Sequence, residues 1–126
     1  MVNKRYQAGY RFEKRTVEYL NNQLAPLKRI KYHIVESRGS KGMADIMCGV
    51  YNMDTGERFW FGVQCKKGYI SKPQMKRDAY RAMREKGMML YHATLDAQKN
   101  FIMTPAFDDW IELHLTIPTY AEGTSE

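Results

Sequence analysis

Apolar residues at Phe12, Val17, Leu20 and Leu24 recur at helical spacing and stop short of Pro26, predicting a helix over 5–24. Beyond it the chain breaks into short strand-like runs over 30–36, 44–51 and 58–66, the last two flanking the turn signal Asp54-Thr55-Gly56-Glu57. A second helix is predicted over 73–86, with Pro73 suited to its first turn and Gly87 to its C-terminal cap. Strands over 88–94 and 100–103 follow, the first carrying the apolar run Met88-Met89-Leu90-Tyr91, which reads as a buried strand. Thr104-Pro105 reads as an N-cap and first-turn pair for a helix over 105–114, with Asp108 and Asp109 near its positive end. The mixture of strands and helices predicts an α/β fold, a central mixed β-sheet flanked by helices. At 126 residues the chain is expected to form one domain over 1–117, followed by a polar tail over 118–126.

The hairpin around Thr55-Gly56 is where polar residues gain meaning. A two-residue loop there, or a four-residue loop from Asp54 to Glu57, sets Lys66 opposite Asp45 with Gln64 diagonally beside it. Side chains alternate with period two, so Gln64 and Lys66 share a face, and Trp60 and Gly62 share it with them. A one-residue slip moves Asp45 to the other side, so the register must come from an even loop or a compensating bulge. A carboxylate, an amide oxygen and a lysine on one patch suit metal-assisted phosphodiester hydrolysis. A solvated Asp–Lys cross-strand pair on an ordinary hairpin satisfies the same spacing.

The first helix adds a third oxygen group. Glu13 falls on the stripe of Val17, Leu20 and Leu24, where a carboxylate needs a cation, a metal or an escape to solvent. Glu18 shares its face with Arg11, Lys14 and Asn22 and reads as a solvated helix partner.

Taken together, Gly9-x-x-x-Glu13, the loop Ser37-Arg38-Gly39-Ser40-Lys41 before Ala44-Asp45-Ile46, and Val63-Gln64-Cys65-Lys66 resemble the archaeal-type Holliday-junction resolvases. These belong to the restriction-endonuclease-like PD-(D/E)xK nucleases, and the resemblance covers about residues 5 to 86. It implies a restriction-endonuclease-like fold, with Glu13 and Asp45 holding Mg²⁺ (Mn²⁺ as a substitute). Gln64 takes the second strand ligand position, Lys66 is the catalytic lysine, and Ser40 lies near the scissile phosphate. It also implies a homodimer acting on four-way junctions. One position departs from the family: Gln64 stands where an acid is expected, and an amide oxygen ligates without charge and cannot act as a base. The departure leaves two readings, retained cleavage with weaker metal binding or a junction binder without catalysis. We expect retained activity.

Composition fits an anionic partner, with a net charge of +6 and a sequence pI near 9.3. The helix over 73–86 presents Arg77, Arg81 and Arg84 with Tyr80 on one side, against Met75, Ala79 and Ala82 on the other. Lys67, Lys72 and Lys76 lead into it. With Arg38 and Lys41 in the loop and Arg5 and Arg11 on the first helix, these form the expected DNA-binding set, positioning phosphates rather than reading bases. Phe107, Trp110, Ile111 and Leu115 are expected either to form the dimer interface or to close the core. Cys48 and Cys65 are expected as free buried thiols in a reducing cytosol, and His33, His92 and His114 are too scattered for zinc. No apolar run reaches membrane-span length, so the expected location is cytoplasmic. The expected activity is a metal-dependent endonuclease resolving branched DNA, with a repair- or restriction-type nuclease of the same superfamily as the alternative.

Overall fold

Five strands form one sheet in the computed structural model, which describes residues 4–36 and 44–107. In chain order they are β1 (Ile30–Glu36), β2 (Ile46–Asn52), β3 (Arg58–Cys65), β4 (Met89–Leu95) and β5 (Phe101–Thr104), and they lie in that same order across the sheet. β1, β2 and β3 pair antiparallel, β3 and β4 parallel, and β4 and β5 antiparallel. A parallel pair needs a crossover, and helix α2 (Lys72–Lys86) supplies it. Helix α1 (Lys4–Leu24) precedes the sheet. This is the α/β architecture expected, a mixed sheet flanked by helices.

Each helix covers one face. From α1, the buried residues Phe12, Thr16, Leu20 and Leu24 recur every fourth position, so the stripe includes a threonine that apolar periodicity passes over. The buried Thr16 hydroxyl is satisfied within the helix, donating to the Phe12 carbonyl at 2.9 Å. Phe12, Leu20 and Leu24 pack on Ile46, Cys48 and Val50 of β2, Phe61 and Val63 of β3, and Tyr91 and Ala93 of β4. On the opposite face Ala82 of α2 joins Ala44, Met88 and Leu90, with Met47 against them.

Local signals set the α2 boundaries. The Ser71 hydroxyl caps its start by accepting the Gln74 N–H at 3.2 Å, and Gly87 ends it in the left-handed region at φ 62°. Thr104 is the last residue of β5 and helical conformation begins only at Phe107, so Thr104-Pro105 does not form the expected N-cap and first-turn pair. The rest of the helix predicted over 105–114, with Asp108, Asp109, Trp110 and Ile111, lies outside the described residues. Phe107 itself belongs to the core, its ring 5.5 Å from those of Phe61 and Tyr91. No helix among the described residues is long and apolar enough to cross a membrane.

Candidate active site

The turn that sets the β2–β3 register closes one step earlier than the dipeptide Thr55-Gly56 suggests. Buried Asn52 organises it: its Oδ1 accepts the N–H groups of Asp54 at 2.9 Å and Thr55 at 3.2 Å, and its own N–H donates to the Glu57 carbonyl at 2.9 Å. The loop is therefore the four residues 53–56, with Gly56 at φ 78°. The register pairs Ile46 with Val63 and Cys48 with Phe61, two residues away from the one that sets Lys66 opposite Asp45. An even shift preserves the faces of every residue in the regular ladder.

Asp45 is not in the regular ladder. Its N–H donates to the Val63 carbonyl at 2.9 Å, although Ile46 is the residue paired with Val63. Two consecutive residues opposing one is a β-bulge. The packing gives the same answer independently. Ala44 and Met47 both pack with α2-side residues, while Ile46 is in the α1-side core. Strict alternation forbids that pattern, and an extra residue at Asp45 accounts for it. Gly62 shows how tightly the α2 side is filled there, since a Cβ on it would stand 2.8 Å from the Ala44 Cβ and 2.9 Å from the Met88 Cε.

The bulge turns Asp45 toward α1. Its Oδ2 accepts the Cys65 N–H at 2.8 Å, and its charge acts on the Cys65 thiol together with those of Glu13 and Glu36. That thiol is pushed up to about 12, first by burial, with these three carboxylates adding to the shift and a hydrogen bond with Thr16 opposing it. The Cys65 Sγ lies 3.6 Å from the Thr16 Oγ1, which fixes it against the α1 stripe. Glu13, Glu36 and Asp45 thus all act on one thiol at the end of β3. An added Cβ at Gly9, one turn before Glu13, meets nothing within 4 Å. Glu36 pairs with Lys14 at 3.2 Å through Oε2, while its buried Oε1 has no hydrogen-bond partner among the described residues.

Gln64 and Lys66 do not join this group in the way the simple hairpin predicts. Gln64 pairs with His92, whose buried ring meets Asp78 of α2 at 3.2 Å, so it lies on the α2 side, opposite to Asp45. Alternation assigns Lys66 to the same side, though it is exposed at the strand end, where its N–H donates to the Ala93 carbonyl at 2.9 Å. The single patch of Asp45, Gln64 and Lys66 is therefore divided between two faces, because the bulge re-aims the one acid. Glu36 and Thr16 were missed by sequence reasoning. Glu36 could have been found as the last residue of a strand leading into the Ser37-Arg38-Gly39-Ser40-Lys41 loop, whereas Thr16 has no sequence signal beyond its i+4 spacing from Phe12.

Ser40, Arg38 and Lys41 lie outside the described residues. Of the expected DNA-binding set, Arg11, Lys67, Lys72, Lys76, Arg77, Arg81 and Arg84 are exposed, and Arg5 sits in the first turn of α1. On α2, Ala82 is buried and Met75 and Ala79 are half-buried, so the helix is divided as its sequence predicts. Two of its arginines are lightly engaged, Arg77 donating to the Gln74 Oε1 at 2.8 Å and Arg81 standing 3.8 Å from Glu85. Both cysteines are free. Among the described residues no three His, Cys, Asp or Glu side chains form a group that could hold a metal ion. Comparison with protein-family models, with curated proteins and with solved structures finds no match to this chain.

Proposed function

We propose that the chain is a metal-dependent endonuclease of the restriction-endonuclease-like kind, acting as a homodimer that resolves four-way DNA junctions. The observation that carries this reading is the bulge at Asp45. It brings an acid from the sheet to the side of α1 where Glu13 and Glu36 already act on the same thiol. Carboxylates that act on one half-buried group repel one another, and a hard cation relieves that repulsion. The donor chemistry fits Mg²⁺, which favours oxygen ligands and commonly uses only one or two carboxylates, with water and substrate phosphate as the rest. On this reading Glu13 and Asp45 would hold the cation, while Glu36 keeps its ion pair with Lys14. When bound, such a cation polarises a phosphoryl oxygen and lowers the pKa of a water. Lys66, which alternation sets across the sheet from Asp45, joins the exposed cations that meet the DNA backbone rather than the cation site. The exposed lysines and arginines of 66–84 hold the DNA backbone by charge, independently of sequence. A junction has two symmetric strands to cut, which a twofold dimer matches.

The test is incubation of the purified protein with a labelled four-way junction and with linear duplex, in Mg²⁺ and in chelator. Paired symmetric cuts in the junction only with Mg²⁺ are expected. Cutting of duplex at an equal rate would shift the reading to a repair- or restriction-type nuclease. Tight junction binding without cuts in Mg²⁺ would make the chain a junction binder.

A further inference from the structure

On the α2 side of the sheet, α2 covers β4, while β1, β2 and the first half of β3 carry a surface of a different kind. Two adjacent rungs cross these three strands. One aligns Lys31, Tyr51 and Arg58, and the next aligns His33, Gly49 and Trp60. The Arg58 guanidinium lies over the Tyr51 ring at 5.1 Å from its centroid. The Trp60 indole lies across Gly49, since a Cβ on Gly49 would fall within 2.8–2.9 Å of three of its ring atoms. Glycine is required there to let the ring lie down. Trp60 as a whole remains 52% exposed, so the ring rests on the strand while the residue still faces outward. A shallow hollow of about 260 Å³ runs along these residues, and none of those lining it is acidic.

We infer that this face is a stacking platform for unpaired nucleotides. Exposed aromatic rings accept any base by stacking, and cations at the ends of the rungs meet the phosphates, the combination by which single strands are held without sequence preference. The net charge of +6 suits an anionic partner, and the exposed Trp60 ring beside Lys31 and Arg58 suits one that carries flat bases as well as phosphates. The platform lies across the sheet from Glu13 and Asp45 and does not depend on cleavage.

Binding of labelled oligothymidylate, oligouridylate and duplex DNA is measured by fluorescence anisotropy in chelator, so that nuclease activity plays no part. Trp60→Ala should weaken binding of at least one single strand by about ten-fold or more and leave duplex binding unchanged. Gly49→Ala, which keeps the indole but displaces it, should weaken the same strand, while Trp60→Phe should retain most of the affinity. Circular dichroism and urea midpoints establish that each variant is folded. In the wild type the single strand should quench tryptophan emission, and Trp60→Phe should lose that quenching. Unchanged single-strand affinity in folded Trp60→Ala and Gly49→Ala would overturn the inference. So would conversion of a dimer to a monomer by Trp60→Ala in sedimentation with strand affinity intact, because the face would then bind a second copy of this chain.

Discussion

The Asp45 carboxylate accepts the backbone N–H of Cys65 at 2.8 Å, tying the bulge in β2 to the last residue of β3. An anion held by a backbone donor is oriented before any ligand arrives.

Asp45→Asn keeps an oxygen for the Cys65 N–H while removing the charge. Junction cleavage should fall by at least about 10²-fold with junction affinity and fold retained. Asp45→Ala should also lower stability by about 1–3 kcal/mol, because it leaves the N–H without its acceptor. Wild-type turnover in Asp45→Asn, measured on saturating junction, would remove Asp45 from the site.

Gln64 lies on the side away from Glu13 and Asp45. Gln64→Glu should therefore leave the Mg²⁺ concentration for half-maximal cleavage unchanged, despite adding a charge at the family's acid position. A clear drop in that concentration would mean that Gln64 reaches the cation and that the bulge closes differently when DNA is bound.

Arg77 and Arg81 are exposed on α2, far from any burial that would make them structural. Arg77→Ala and Arg81→Ala should each weaken junction binding and reduce its salt slope by about one unit, with turnover of bound junction preserved. A slope unchanged in both variants would exclude this helix face from the phosphate contacts.

The two thiols give a pH dependence with a definite sign. Burial pushes Cys48 up to about 12 from its ordinary 9.0, and Cys65 reaches about 12 for the reasons given above. The unfolded chain then loses these protons first, so stability is full below about pH 9 and declines as pH rises toward 12. Urea unfolding across the alkaline range should show a shallower decline in a Cys48→Ala, Cys65→Ala double variant, by at most about 1.4 kcal/mol per pH unit for each thiol. Parallel declines in the two proteins would contradict the burial argument.

Periodicity along the chain determined the elements themselves. The stripe of Phe12, Leu20 and Leu24, the Ser71 and Gly87 caps, and the runs on either side of the Asp54-Thr55-Gly56-Glu57 turn all lie in local sequence, where spacing and backbone preference act. Glu13 beside the buried stripe was legible for the same reason. The tertiary structure alone decided which acids act on the same thiol. Asn52 moved the turn by one residue, a preference visible only once its side chain is buried under the loop it ties. The bulge then reversed Asp45, and neither Ala44-Asp45-Ile46 nor any local propensity encodes it. It follows from Ala44 and Met47 both fitting under α2 while Ile46 fills the core beneath α1. Glu36 entered the group for a similar reason, because the β1–β2 pairing sets it opposite Ile46. Contacts between residues distant in the chain are settled by packing of whole faces, and a one-residue change in a strand carries a side chain from one face to the other.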